Sequence, residues 1–388
     1  MNHAHWREER TFFEGDEYFE DVLQAIDSSK TDVILETYIF NPDEIGRRFE
    51  DSLIRASQRG VKIRLLVDGI GGSAWIPVRN PKLKSTGIET RVYHPIIFAN
   101  LFSRLLIDLG ILKSVRRRRS AFFSRINRRD HRKFICVDGN KAWVGSLNIS
   151  AVHSKSVSGA KSWADTGLFV TGEHVRELIG SFENVWRRSH DIESGKRNWR
   201  ESVFRNPATI GSQHLVRLNS TTKLRRRSFK DFVKRISKSR SRIWITNAYL
   251  APSAPVSLAL CKAAQRGVDV RLLVPRQSDV FFMPLVTRSH YEILLADRVK
   301  IYEYLPHFLH AKCVIVDDWS IVGTSNMNRR SLLQDLELDV VTTKPETLEL
   351  LVAEFENKLK SSERILKAGG FFAKLLGRLI EWFLSYWI

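Results

Sequence analysis

Apolar positions along this chain fall into a helical and a strand-like spacing, and the whole succession of spacings occurs twice. Residues 16–28 place Phe19, Val22, Leu23 and Ile26 on one face of a helix. A continuous apolar run over 33–40 has strand length, 44–59 reads as a helix stopped at Gly60, and 61–67 is the next strand. The order returns later. Phe229, Phe232, Val233 and Ile236 mark a helix over 228–239, followed by a strand at 243–250, a helix at 253–266 and a strand at 268–274. Residues 57–67 and 264–274 share eight identities in eleven. Closing helices are expected at 174–188 and 346–361.

So long a period is a duplicated domain and not a solenoid. Alternating strands and helices predict an α/β fold, each half an α/β/α unit with a mixed sheet. The halves should be related by a pseudo-two-fold axis, with a site where they meet. A polar stretch near 190–212, with Gly195, Asn206-Pro207 and Gly211, divides them. The expected domains are 1–205, 206–362 and a helical tail, 363–388.

Two stretches interrupt the repeat. Residues 96–129 carry Phe98, Leu101, Phe102, Leu105, Leu106, Leu109 and Leu112 at helical spacing, then Arg116–Arg119 and Phe122-Phe123. The tail aligns Phe372, Leu375, Leu376, Leu379, Ile380, Phe383, Leu384 and Trp387 opposite Lys374, Arg378 and Glu381. Amphipathic helices with aromatics and adjacent basic residues suit a bilayer interface. The alternative is packing on the protein itself. No run is apolar and long enough to predict a membrane span, and the first residues do not read as a secretory signal.

The 388 residues carry a net charge of +19, which predicts an anionic partner, either a lipid surface or nucleic acid. Cys136, Cys261 and Cys313 lack metal-site spacing and are too few for a disulfide framework.

The chemistry is concentrated in a pattern present in both halves. His131-Arg-Lys133 leads through an apolar strand to Asp138, and Gly145-Ser146-Leu-Asn148 follows. His310-Ala-Lys312 leads to Asp317, and Gly323-Thr324-Ser-Asn326 follows. On a strand, i and i+2 project together, so each His stands beside its Lys. A return strand brings back the hydroxyl of Ser146 or Thr324 and the amide of Asn148 or Asn326. An imidazole, an ammonium and neutral donors suit a phosphate group. Asp138 and Asp317 read as turn residues supporting the site. Asp165 and Glu337 lie in apolar settings beyond each motif. Asp165 is the expected orienting carboxylate for His131, and Glu337 for His310. The loop Asp68-Gly-Ile-Gly-Gly-Ser73 is a further candidate for close ligand approach. No carboxylate cluster with divalent-ion spacing accompanies the motifs, so neither metal nor cofactor is expected.

These paired motifs resemble the HKD motifs of the phospholipase D superfamily. The chain is similar over about residues 12–360 to bacterial cardiolipin synthases of the type without N-terminal transmembrane helices. The resemblance includes Leu35-Glu-Thr-Tyr-Ile-Phe40, Leu66-Val-Asp-Gly-Ile70, Ile245-Thr-Asn-Ala-Tyr-Leu250, Tyr302-Glu-Tyr304 and Gly323-Thr-Ser-Asn-Met-Asn-Arg-Arg-Ser-Leu332. It implies phosphatidyl transfer between two phosphatidylglycerol molecules through a phosphohistidine. His131, Lys133, Asp138, His310, Lys312 and Asp317 would form the catalytic set. His131 is taken as nucleophile and His310 as acid then base, although the sequence allows the converse. Ser146, Asn148, Thr324 and Asn326 would bind the phosphate. Anionic phospholipid is the implied partner, at the cytoplasmic face of a bacterial membrane and through 96–129 and 371–388. Nucleic acid is not expected. Lipid hydrolysis, nuclease action and non-catalytic lipid binding remain as rival readings.

Overall fold

The computed structural model describes residues 5–79, 82–95, 128–191 and 215–383. Residues 96–127 of the expected amphipathic segment over 96–129, the domain boundary at 205/206 and the last tail residues, 384–388, lie outside the described residues.

Each half is built on one eight-stranded sheet. In the first half, β1 is Glu8–Phe12, β2 Asp32–Thr37, β3 Lys62–Asp68, β4 Glu89–Tyr93, β5 Phe134–Val137, β6 Lys141–Gly145, β7 Gly167–Thr171 and β8 His190–Asp191. In the second, β9 is Val216–Leu218, β10 Arg242–Thr246, β11 Asp269–Pro275, β12 Lys300–Tyr304, β13 Cys313–Val316, β14 Trp319–Gly323, β15 Leu338–Thr342 and β16 Ser362–Ile365. The spatial orders are β1-β7-β6-β5-β2-β3-β4-β8 and β9-β15-β14-β13-β10-β11-β12-β16. Adding eight to each strand of the first sheet gives the second, as the duplication predicts. In both, the three central strands β2-β3-β4 and β10-β11-β12 run parallel and the others pair antiparallel.

The helices follow the apolar periodicity. In the first half, α1 (Gly15–Asp27) and α2 (Glu44–Gln58) cover the outer face of the sheet, in a core with Phe19, Phe49, Leu65 and Trp143. In the second, α4 (Thr222–Lys238) and α5 (Ala254–Gln265) cover the corresponding face, and α6 (Met283–Ser289) and α7 (Tyr291–Ala296) follow in the chain. Asp43 caps α2 by accepting from the Gly46 N–H. Thr221 caps α4, which starts earlier than its apolar stripe because polar and basic residues fill its first turn. The inner faces of both sheets share one core, containing Ile34, Phe134, Trp244 and Ile315 with α3 (Val175–Trp186) and α8 (Pro345–Lys360). The two halves therefore form one packed body, and a side chain such as Ile315 contributes about 1.5–3 kcal/mol by its burial there. β16 extends the second sheet to Ile365, so the tail helix begins later, as α9 (Phe371–Phe383).

The first half also buries a charge network. Arg132, 1% exposed, donates to Glu36, to Asp130 at 3.1 Å and to the Ser181 hydroxyl at 2.6 Å. Ala311 and Thr246 occupy the positions of the second half that correspond to Arg132 and Glu36.

Candidate active site

The chain enters β5 and β13 through short segments that cross between the halves. Asp130 bridges to Leu336, and Leu309 to Ala164. The His131 N–H donates to the Leu336 carbonyl at 3.0 Å, and the His310 N–H to the Ala164 carbonyl at 2.8 Å. Each histidine is thus fastened beside the carboxylate-bearing segment of the other half.

That stitching reverses the expected pairing of carboxylates. His131 Nδ1 lies 3.1 Å from both Glu337 oxygens, and His310 Nδ1 lies 2.8 Å from Asp165 Oδ1. The sequence pairing assumed that each half completes its own site. The structure exchanges the carboxylates because the inter-half bridges, and not the return strands, set the distance. With Nδ1 engaged by a carboxylate, Nε2 is the ring nitrogen of each motif imidazole left to carry a proton or a lone pair toward a ligand.

The four expected phosphate ligands are only partly free. Ser146 donates its hydroxyl to Asp165 at 2.6 Å, and Thr324 donates its hydroxyl to Glu337. Ser146 also accepts from the Thr166 N–H, and Thr324 from the Leu338 N–H. These hydroxyls position the carboxylates and do not face a phosphate. Asn148 accepts the Ile39 N–H through Oδ1, which leaves its amide N–H groups available. Asn326 is 5% exposed, with a buried Oδ1 that has no partner among the described residues.

Lys133 and Lys312 stand beside the imidazoles. Each donates to the carbonyl of its own histidine, at 2.7 and 2.5 Å, and retains two N–H groups. Asp138 and Asp317 lie at the far ends of β5 and β13, roughly 20 Å along the strand from the histidines. Both adopt left-handed backbone, with φ of 51° and 55°. Asp138 accepts from the Lys30 and Thr31 amides, and Asp317 from those of Arg240, Ser241 and Arg242. They pin the strand ends and have no contact with the imidazoles, which corrects their place in the expected catalytic set. The glycine-rich loop is also not open to a ligand. A Cβ on Gly69 would meet the His94 carbonyl at 2.3 Å, and one on Gly71 the Tyr38 carbonyl at 2.1 Å.

Several site residues escaped the sequence reading. His153 Nδ1 lies 2.6 Å from Asp165 Oδ2, and its Nε2 accepts the Asn148 N–H. Ser331 donates to Glu337 at 2.6 Å and accepts the Asn326 N–H. His153 and Ser331 are five residues beyond the motif asparagines, and that shared offset is the signal that could have found them. Trp163 and Phe308 pack around His310 with ring centroids 5.0 and 5.7 Å away, and Tyr38 lies 5.0 Å from His131.

His153, Asp165 and His310 are compact enough to hold a metal ion, with ligand atoms within 4.8 Å of one another. Both imidazoles already share the carboxylate, so the cluster serves as a hydrogen-bonded triad.

The two carboxylates differ electrostatically. Burial raises Glu337 to about 7, with Lys133 and two hydroxyl donors opposing the rise. Burial also acts to raise Asp165, but His153 and His310 overcome it and hold the carboxyl well below its usual value. Burial, then the neighbouring lysines, push His131 well below 6.5. Burial and Lys312 lower His310, against the pull of Asp165. Burial brings Lys133 to about 8 and Lys312 to about 7.

Comparison with known proteins places this geometry. Residues 22–186 and 232–359 match the family model described as "Cardiolipin synthase, PLD-like domain". Cardiolipin synthase 2 of Bacillus anthracis is 30% identical over 94% of this chain and 67% of its own length. Cardiolipin synthase B of Salmonella typhimurium is 30% identical over 84% of this chain and 74% of its own. The chain spans about two thirds of the length of the Bacillus relatives it matches. The crystal structure of a phosphatidylserine synthase from Haemophilus influenzae shares the fold, with a TM-score of 0.70 at 12% identity, over 97% of this chain and 94% of that one. Two matched domains with both HKD motifs intact show that the chain belongs to the cardiolipin synthase family of phospholipase D-like proteins.

Proposed function

We propose that the protein transfers a phosphatidyl group from one phosphatidylglycerol to another, forming cardiolipin and releasing glycerol. One observation carries this reading. Two imidazoles, each oriented through Nδ1 by a carboxylate of the opposite half, present Nε2 to a site with two lysines. His131 Nε2 attacks phosphorus, and the phosphorus–oxygen bond to glycerol breaks. His310, protonated on Nε2, gives its proton to the departing oxygen. His310 then takes the proton from the terminal hydroxyl of a second phosphatidylglycerol. That oxygen attacks phosphorus, and the phosphorus–nitrogen bond to His131 breaks. Lys133 and Lys312 stabilise charge on the non-bridging oxygens.

The carboxylate asymmetry supports this division of roles. Asp165 is held anionic and suits an imidazolium at His310. Glu337 titrates near 7 and leaves His131 a weaker counter-charge, as a neutral nucleophile requires.

The lipid surface is met peripherally, at the cytoplasmic face of the membrane. Among the described residues no helix is long and apolar enough to cross a bilayer. α9 instead lies on α6 (Met283–Ser289), with Glu381 3.0 Å from His290 and Ile380 against that cluster. Its Phe372, Leu375, Leu376 and Leu379 face outward, and Phe281 at the start of α6 is 88% exposed. α4 adds exposed Lys223, Arg226, Arg227, Lys230 and Lys234. Such cations each contribute about 1 kcal/mol of attraction to an anionic surface.

The test is mass spectrometry of phosphatidylglycerol vesicles incubated with the protein. Cardiolipin and glycerol are the expected products. Phosphatidic acid alone would indicate hydrolysis, and unchanged lipid together with plasmid nicking would indicate a nuclease.

A further inference from the structure

A transfer between two phosphatidylglycerols presents two phosphodiesters to the protein at once. One reacts at the imidazoles. The other belongs to the acceptor and lies one three-carbon glycerol bridge away. The HKD lysines and asparagines account for the first.

We infer that Arg128 and Arg225 form a second phosphate site, which holds the phosphodiester of the acceptor lipid; the inference rests on the transferase reading. Arg128 Nη2 donates to the Ser220 carbonyl at 2.8 Å. Arg225 donates through Nε to the neighbouring Asn219 carbonyl at 2.8 Å and through Nη1 to the Leu333 carbonyl at 2.6 Å. Consecutive carbonyls thus hold two guanidiniums side by side. Neither forms an ion pair among the described residues. Arg128 Nε and Arg225 Nη2 are buried and have no hydrogen-bond partner there. Burial and the neighbouring Arg128 lower Arg225 to about 10. Arg225 also sits in the first turn of α4, where the helix dipole favours an anion and that turn contains no acidic residue. Two half-buried guanidiniums with spare donors and no ion-pair partner among the described residues form a receptor for phosphate.

The pair is wired to the reacting centre. Arg128 precedes His131 by three residues. Asn219, whose carbonyl holds Arg225, accepts the Glu337 N–H through Oδ1 at 2.7 Å, and Glu337 orients His131. A cavity of about 70 Å³ is lined by Arg225 and Asn219 together with Lys312, Asn326 and Glu337. Asn326, whose amide oxygen is buried without a partner among the described residues, belongs to this lining.

The experiment compares two reactions on phosphatidylglycerol vesicles. Cardiolipin formation uses an acceptor that carries a phosphate. Exchange of isotopically labelled glycerol into phosphatidylglycerol uses the same imidazoles and an acceptor without one. For R128Q and R225Q, the ratio of cardiolipin formation to glycerol exchange should fall roughly ten- to a hundred-fold, the value of a charge-assisted hydrogen bond. K238Q, the same charge change at the exposed far end of α4, should leave the ratio unaltered. Glycerol 3-phosphate separates phosphate from lipid recognition. The wild type should prefer it to glycerol as an acceptor, and R225Q should lose that preference. Parallel loss of both reactions in both variants, or an unchanged ratio, would overturn the proposal. Retained preference for glycerol 3-phosphate in R225Q would do the same. Wild-type protein that exchanges glycerol but forms no cardiolipin would instead overturn the reading that a second phosphatidylglycerol is the acceptor.

Discussion

Exchanging Glu337 for Gln tests the crossed pairing through stability and turnover together. The carboxyl is buried, at 2% exposure, and titrates near 7 where an ordinary glutamate titrates at 4.5. The folded state therefore holds a proton that the unfolded chain has already released between those values. Stability falls as pH rises through that window and levels off above it. The difference corresponds to roughly 3 kcal/mol. An uncharged Gln removes that dependence, so urea denaturation of E337Q relative to wild type should improve by about this amount between pH 4.5 and 8. A miswired hydrogen bond to His131, Ser331 or Thr324 costs about 1–3 kcal/mol at every pH and shifts the comparison without changing its slope. Turnover should move the other way. Gln can turn its amino group toward His131 Nδ1 and so place the proton on Nε2, where the attacking lone pair is needed. A loss of roughly 10³- to 10⁴-fold is expected. Parallel stability curves across this pH range, or turnover within tenfold of wild type, would refute the reasoning.

Three further outcomes follow from the geometry. With a phosphatidyl donor carrying p-nitrophenolate, which leaves without a proton, H310A and D165N should release a burst and retain the covalent intermediate, whereas H131A and E337Q should not; the opposite pattern would reverse the two histidines. Arg132→Met strands Glu36 and Asp130 in the core and should destabilise the protein by roughly 3–5 kcal/mol in urea; a loss below 1 kcal/mol would show that the network is incidental. L375E/L379E places charge on the outward face of α9 without touching its contacts with α6, so binding to phosphatidylglycerol vesicles should fall while the melting temperature holds; unchanged sedimentation would exclude that face as the lipid contact.

The path of α9 shows why the tail was only half legible. Its apolar stripe was plain in the sequence, but a stripe does not say which surface covers it. The helix approaches α6 on the Gly377 side, where a Cβ would lie 2.4 Å from the Leu285 carbonyl. Close backbone approach at a glycine thus decides the docking and turns the stripe outward.

The duplication, the α/β class, the element order and the identities of His131, Lys133, His310 and Lys312 were determined by the sequence alone. Strand periodicity and motif spacing are local properties, and they survive without knowledge of the fold. The tertiary structure decided what depends on contacts between the halves. It assigned Glu337 to His131 and Asp165 to His310, because the bridges at Asp130–Leu336 and Leu309–Ala164 bring together residues far apart in the chain. It turned Ser146 and Thr324 from phosphate ligands into supports for those carboxylates. It also gave Asp165 a second imidazole and Glu337 only hydroxyls, which sets the two halves of a repeated motif to different charge states. Spacing fixes which groups share a strand face, whereas the charge each carries depends on burial and partners supplied by the other half.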